Sequence, residues 1–199
     1  MQQDRFENAM QEIEHAMIVF GIDDGMLSAS LDIRGKIGPK EIKETIKKKG
    51  TLSLSMIVKN EERHIAKCLM SVKPVVDEII VVDTGSTDRT KEIALVFGAK
   101  VYDFEWAEDF SAARNYALEK ASGQWILSLD ADEVISPSDY ASLSALIKKD
   151  HSRPTAYSFI TRNYSNVIVS QGWTPNDGRY PNMQMYILLI KPKNFFFIF

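Results

Sequence analysis

Gln124-Trp-Ile-Leu-Ser-Leu-Asp-Ala-Asp-Glu133 decides how the rest of the chain is read. An apolar run bounded by Ser122-Gly123 and by Ser136-Pro137 has the length and composition of a buried parallel strand. It ends in three acids grouped around one alanine. Side chains alternate along a strand, so Asp130 and Asp132 leave the chain on the same side if the extended geometry runs on past the apolar residues. Two carboxylates at a strand end make a hard-oxygen site of the kind that binds Mg²⁺ or Mn²⁺, with coordination positions left for substrate phosphates. Open α/β sheets collect their ligands at the carboxyl ends of their strands. The same residues also read as an acidic turn ahead of a helix, with Asp in capping positions. On this stretch alone both readings stand.

Upstream the pattern repeats. Leu52–Val58 alternates and then becomes continuously apolar, a first strand. It runs into Lys59-Asn60-Glu61-Glu62, read as the opening of a helix whose inner face is Ile65, Cys68, Leu69 and Val72 and which Pro74 ends. Residues 78–82 are a second β-branched run with Asp83 at its end. Thr84-Gly85-Ser86-Thr87-Asp88 then reads as a turn and a helix start, with Ser86 or Thr87 as N-cap and Ile93, Val96 and Phe97 on the inner face as far as Gly98. A short strand is expected at 100–104, and a helix at 110–121 with Phe110, Ala113, Ala117 and Leu118 inward. The focal strand follows, then a helix at 137–149 capped by Ser136; 155–164 and 183–190 read as further strands. This alternation predicts an α/β protein with a Rossmann-like, mostly parallel sheet flanked by helices. The polar residues then share one edge: Asn60 and Glu61 after the first strand, Asp83 after the second, Asp130 and Asp132 after the fourth. There is no Gly-x-Gly-x-x-Gly after the first strand and no Walker loop. Neutralising a bound phosphate therefore falls to a metal held by the acid pair.

Residues 1–50 read as a helical N-terminal extension. Phe6, Met10, Ile13, Met17 and Phe20 form one face of an amphipathic helix ending near Gly21. His15 lies beside that face with no second candidate ligand and is read as structural. Residues 22–38, punctuated by glycine, give weak signals. Residues 39–49 read as a second helix with Pro39 in its first turn and Gly50 as its C-cap, and the boundary is placed near Gly50. With 45% hydrophobic and 26% charged residues the chain has the composition of a soluble globular protein. A net charge of −3 supplies no basic footprint for nucleic acid. Cys68 is the only cysteine, so no internal disulfide or thiolate cluster exists. It reads as core, and it suits a reducing, cytoplasmic setting. No apolar stretch is long enough to be a transmembrane segment, and the polar start does not read as a signal peptide.

Four stretches together, Ser55-Met-Ile-Val-Lys-Asn-Glu-Glu62, Val81-Val-Asp-Thr-Gly-Ser-Thr-Asp88, Ala113-Arg114-Asn115 and Leu129-Asp-Ala-Asp-Glu133, resemble the family-2 glycosyltransferases of the GT-A fold, over residues 52–146. The resemblance implies a GT-A nucleotide-sugar-binding domain over 51–199, a nucleotide-sugar donor, Mn²⁺ or Mg²⁺ as cofactor, and inversion at the anomeric carbon. It implies that Asn60 and Glu61 line the nucleotide pocket, that Asp83 faces the nucleoside and that Arg114 lies near the donor. Asp130 would approach the ribose or the metal, and Asp132 would bind the metal that bridges the diphosphate. No residue stands out as the catalytic base, and the acceptor stays open among saccharide, lipid-linked saccharide, peptide and protein. Thr84 stands where many members carry a second Asp, which bears on the choice of nucleotide. After Asp150 the one carboxylate side chain is Asp177, no His follows His151, and the chain ends Lys191-Pro-Lys-Asn-Phe-Phe-Phe-Ile-Phe199. The Glu- and His-rich acceptor segment of similar members is thus expected to be missing, the domain incomplete at its C-terminus, and donor binding stronger than transfer. Two other functions compete. A nucleotidyltransferase would carry a glycine-rich Arg/Lys phosphate loop where this chain has Lys59-Asn60-Glu61. A non-catalytic nucleotide-sugar-binding module, or a truncated remnant, would bind donor without turnover.

Overall fold

The computed structural model describes residues 2–40, 50–149, 155–160 and 184–189. Two helices open the chain, α1 (Gln2–Phe20) and α2 (Asp24–Ile37). Strands and helices then alternate: β1 (Leu52–Val58), α3 (Ile65–Val72), β2 (Glu78–Asp83), α4 (Thr90–Val96), β3 (Lys100–Asp103), α5 (Phe110–Lys120) and β4 (Trp125–Ser128). A short 3₁₀ turn, Pro137–Asp139, leads into α6 (Tyr140–Ile147), and β5 (Ala156–Ile160) and β6 (Gln184–Leu189) follow. The six strands form one sheet in the order β3-β2-β1-β4-β6-β5. β1 through β4 are mutually parallel, while β6 runs antiparallel to β4 and β5 antiparallel to β6.

β2 is apolar from Ile79 to Val82, and β1 is apolar but for the small buried Ser53 and Ser55, because helices cover both faces of the sheet. Leu54, Met56, Val81 and Leu127 share one core with residues of α1–α4 and α6, whereas Ile80, Leu118 and Ile126 make a smaller cluster under α5. Residue parity along β4 therefore decides which layer a side chain meets. Trp125, Leu127 and Leu129 face the larger core; Ile126 and Ser128 face α5.

The α1–α2 hairpin belongs to that larger core through Met10, Met17 and Leu27. Between these apolar contacts sits Glu14, 1% exposed, ion-paired to Lys73 and to Arg34. Arg34 also donates to the carbonyls of Val96 (2.9 Å) and Gly38 (3.2 Å). Burial lowers the pKa of both cations, and the Glu14 charge acts against that shift. The charged cluster joins α1, α2, the end of α3 and the end of α4.

Several expectations are corrected. Residues 22–38, read as weakly structured, contain α2. Its N-terminus is capped by Asp23, whose carboxylate accepts the Met26 amide at 2.8 Å. Gly25 and Gly35 depress helix propensity, but burial of Leu27 and Ser30 and the anchoring of Arg34 stabilise the helix from outside. Phe20 is 83% exposed, because the inward face of α1 is Met10, Glu14 and Met17 and the helix ends at Phe20 itself. The helix after β1 starts at Ile65 rather than at Lys59–Glu62. α4 starts at Thr90, and neither Ser86 nor Thr87 caps it, because both are bonded to Asn60 in the neighbouring loop. Phe110 is 62% exposed, since it occupies the first position of α5 beyond the sheet edge. The helix expected at 39–49 lies, from residue 41 on, outside the described residues, as do Asp177 and the segment 191–199. Among the described residues no helix is long and apolar enough to cross a membrane.

Candidate active site

The parallel strands deliver their following loops to one edge. Val58 pairs with Asp83 and Asp83 with Asp103, while Ser55 pairs with Ser128, which brings residues 129–131 level with the end of β1. Asp83 and the acids after β4 share that edge with β1 between them, roughly 10 Å apart at two strand spacings.

Asn60 holds a left-handed backbone (φ 57°), a conformation Asn tolerates better than most residues. Its amide donates to the Ser86 hydroxyl (2.9 Å), and its side-chain oxygen accepts from the Thr87 amide (2.8 Å). Glu61 donates its amide to Thr90 Oγ1 (2.7 Å) and pairs its carboxylate with His64 at 3.0 Å. Glu62 and Asp88 complete the set: the Glu62 amide reaches Asp88 at 3.1 Å, and the Arg89 amide reaches Glu62 at 3.2 Å. The loops after β1 and β2 are thus one hydrogen-bonded unit.

Asp83 is 1% exposed. One carboxylate oxygen accepts the amides of Gly85 (3.0 Å) and Ser86 (2.9 Å), and the other is buried without a hydrogen-bond partner. Leaving such an acceptor unused costs about 1–3 kcal/mol. Thr84 beside it is buried, with its hydroxyl donating to the Val58 carbonyl at 3.0 Å.

On the other side of β1, Arg114 reaches from α5 to Ser128 Oγ (3.5 Å) and to Asp130 Oδ1 (3.4 Å). Arg114 and Asp130, with Ser55, Ile57, Ser128 and Leu129, line a small, shallow cleft. The extended geometry expected to carry Asp130 and Asp132 in register does not persist. The chain turns at once: the Asp130 amide donates to Glu133 Oε2 (2.9 Å), and the Glu133 amide donates back to the Asp130 carbonyl (3.0 Å). A side chain that bonds a nearby backbone amide offers the chain an alternative to the strand ladder, and here the Glu133 carboxylate does so for Asp130. Asp130 consequently faces Arg114 half-exposed, and Asp132 stands exposed on the turn. Both readings of the stretch thus contribute, a strand and then an acidic turn.

The turn carries surplus negative charge. The Glu133 pKa is raised, first by burial and then by the charges of Asp130 and Asp132, against the Asp130 amide and Arg114. Burial, followed by Glu133, Asp132 and Asp130, also pushes the Cys68 thiol up, so Cys68 stays an uncharged core residue.

A family model for glycosyl transferase family 2 matches residues 53–198. The chain belongs to that family. A TPR repeat-containing protein of Synechococcus elongatus is 58% identical over 82 residues, 41% of this chain and 20% of that protein. The SPbeta prophage-derived glycosyltransferase SunS of Bacillus subtilis is 39% identical over 100 residues, 49% of this chain and 24% of that protein. Among solved structures, S. aureus TarS 1–349 aligns with a TM-score of 0.44 at 29% identity, over 49% of this chain and 32% of that one. The chain spans about a fifth to a quarter of the length of these two curated relatives.

In this family-2 chain no three His, Cys, Asp or Glu side chains converge as a ready-made metal cage among the described residues. A magnesium-like ion that keeps waters and takes phosphate oxygens needs only one or two carboxylates. Accessible Asp130 and Asp132, oxygen donors in a locally over-negative turn, fit that requirement. Sequence reasoning passed over Ser55 and Ser128, register partners that line the cleft beside Arg114. The available signal was a small polar residue interrupting each apolar strand on the α5-facing parity.

Proposed function

We propose that this family-2 chain binds a nucleoside diphosphate sugar at the carboxyl edge of β1, β2 and β4 and takes part in inverting, metal-dependent transfer of the sugar to an acceptor. The observation that carries the reading is the Arg114–Asp130 contact at the mouth of the cleft, beside a turn whose carboxylates outnumber the cations near them. Asp132, with Asp130 beside it, would hold Mn²⁺ or Mg²⁺, which when bound stabilises the charge gathering on the departing diphosphate. Arg114 orients Asp130 and adds a fixed positive charge on the donor side, worth most where charge develops in the transition state. Asp83 would form the nucleoside end of the site by fixing the Gly85–Ser86 turn through its carboxylate. Asn60 and Glu61 act through the backbone, holding the loop after β1 against the loop after β2. Residues 51–199 form the donor-binding unit in this reading, and residues 1–50 a helical extension packed on it; the family match beginning at residue 53 supports the division. The lone buried cysteine suits a cytoplasmic site of action.

The test is calorimetric titration with UDP and with GDP, in Mn²⁺ and in EDTA, on the wild-type chain and on Asp132→Asn. One nucleotide is expected to bind in a metal-dependent manner, with the dependence lost in Asp132→Asn while the fold is retained. Equal affinity with and without Mn²⁺ in the wild type would overturn the metal assignment.

A further inference from the structure

The turn that carries Asp130, Asp132 and Glu133 is fixed to α3 at three points. The Cys68 thiol donates to the Asp130 carbonyl at 3.6 Å. Three residues on, the Ser71 hydroxyl accepts the amide of buried Ile135 at 3.1 Å and donates its own proton to the Cys68 carbonyl at 2.7 Å. The Ser71 carbonyl in turn accepts the Tyr140 hydroxyl at 2.6 Å. One helix therefore holds the start of the turn, the residue just past it, and the first residue of α6.

The mutual bonds of Asp130 and Glu133 set the internal shape of the turn, but they say nothing of where it sits against the sheet. Beside the Arg114 contact and the burial of Ala131 and Ile135, that placement rests on α3, where Ser71 is central because both its side chain and its carbonyl are engaged. A hydroxyl has one proton to give. Here it goes to Cys68, which leaves a lone pair for the Ile135 amide. Alanine at this position would leave that amide without its acceptor and release the downstream anchor of the turn.

We propose that Ser71 is a positioning residue that fixes the acid turn on α3, so that Asp130 and Asp132 are held ready for a divalent cation. The proposal rests on the metal-binding reading above. Ser71 touches neither the cation nor the donor, and it acts through Ile135 and the turn. Groups hydrogen-bonded directly to metal ligands are worth about 10- to 100-fold in metal affinity, and Ser71, one step further back, is assigned the lower end of that range.

The experiment uses the full chain, with Mn²⁺ in the presence of UDP as the probe, free Mn²⁺ followed by paramagnetic resonance and thermal stability recorded in parallel. Ser71→Ala is expected to weaken Mn²⁺ uptake about tenfold or more, with UDP affinity in EDTA unchanged. Ser71→Thr, which keeps the hydroxyl, is expected to restore it. Should the alanine variant fail to fold, Ser71→Cys keeps a similar volume with a weak acceptor and is expected to show the same loss. Wild-type Mn²⁺ affinity in folded Ser71→Ala or Ser71→Cys, with only the melting temperature lowered, would reduce Ser71 to a stability residue and overturn the proposal. Equal loss in a folded Ser71→Thr would overturn it as well, since the hydroxyl would then not be what matters. Uptake that Asp132→Asn lowers and Ser71→Ala does not defeats this proposal alone. Absence of uptake by the wild type defeats the metal reading and this proposal together.

Discussion

Thr84 directs both of its donors at one acceptor. Its amide and its hydroxyl meet the Val58 carbonyl at 2.9 and 3.0 Å, so the end of β2 is tied to the end of β1 by a residue that is 6% exposed. Thr84→Val keeps the shape and removes one hydrogen bond. It is expected to cost about 1 kcal/mol in chemical denaturation and to leave UDP affinity in Mn²⁺ unchanged; a clear affinity loss would mean the hydroxyl meets the nucleotide after all. At the opposite edge of the sheet, Gly123 is fixed by proximity. A Cβ there would lie 2.6 Å from the Ser53 hydroxyl and 2.7 Å from the Ser53 amide. Ser53 has no room to move aside, because its hydroxyl donates to buried Glu78 at 2.6 Å and accepts the Gly123 amide at 2.9 Å. Gly123→Ala is expected to lose about 1–3 kcal/mol to overpacking, read as a lowered denaturation midpoint.

Elements are joined here by charged groups more than by their own propensities. Glu14 links α1 to Arg34 of α2 and to Lys73 after α3. Glu14→Ala leaves two partly buried cations without their carboxylate, and breaking such a cluster typically costs about 3–5 kcal/mol. That loss should appear in urea unfolding of the variant, whereas a cost near zero would mean solvent already screens the cluster. The loop unit at the sheet edge has an acid limit. Burial acts to raise the Asp88 pKa, but hydrogen bonds from the Thr90 hydroxyl and amide and from the Glu62 amide outweigh it, and the pKa is lowered from 3.8. A depressed carboxyl contributes stability that is complete above its unfolded pKa and is lost as pH falls through the folded one. The Asp88 contribution should therefore persist down to about pH 3.8 and fade below it. Comparing Asp88→Asn with wild type across that range isolates the effect: the stability gap should narrow as pH drops, and a gap independent of pH would refute it.

Across the whole molecule the N-terminal hairpin and the sheet share one core. Met10, Met17 and Leu27 sit in the same buried cluster as Leu54 and Val81, and Arg89 bonds the α1–α2 turn at Ile22 and Asp24 while pairing with Glu62 in the loop unit. Hydrogen exchange should accordingly find the amides of α1 from residue 10 to residue 17 protected to a degree comparable with β1. Protection far below that of β1 would reveal a hairpin that opens by itself. Much of the sheet was legible without coordinates. The limits of β1 emerged from a mostly apolar run, and Asp83, Asp130 and Asp132 were placed on one edge, because a strand buried on both faces tolerates only small polar residues such as Ser53 and Ser55 along its middle and leaves its acids to its ends and to the loop beyond. Those are local constraints, written in consecutive residues. α2 was not legible, since Gly25 and Gly35 obscure the spacing of Met26, Ile33 and Ile37 and its support comes from α1 and α4. Nor were the pairing of Glu14 with Lys73, the bonding of Asn60 to the loop after β2, or the hold of Ser71 on the acid turn. Each joins residues dozens of positions apart, and a hydrogen bond leaves no periodicity in the sequence of either partner. The sequence determined which residues reach the sheet edge; the tertiary structure decided what each of them is bonded to once there.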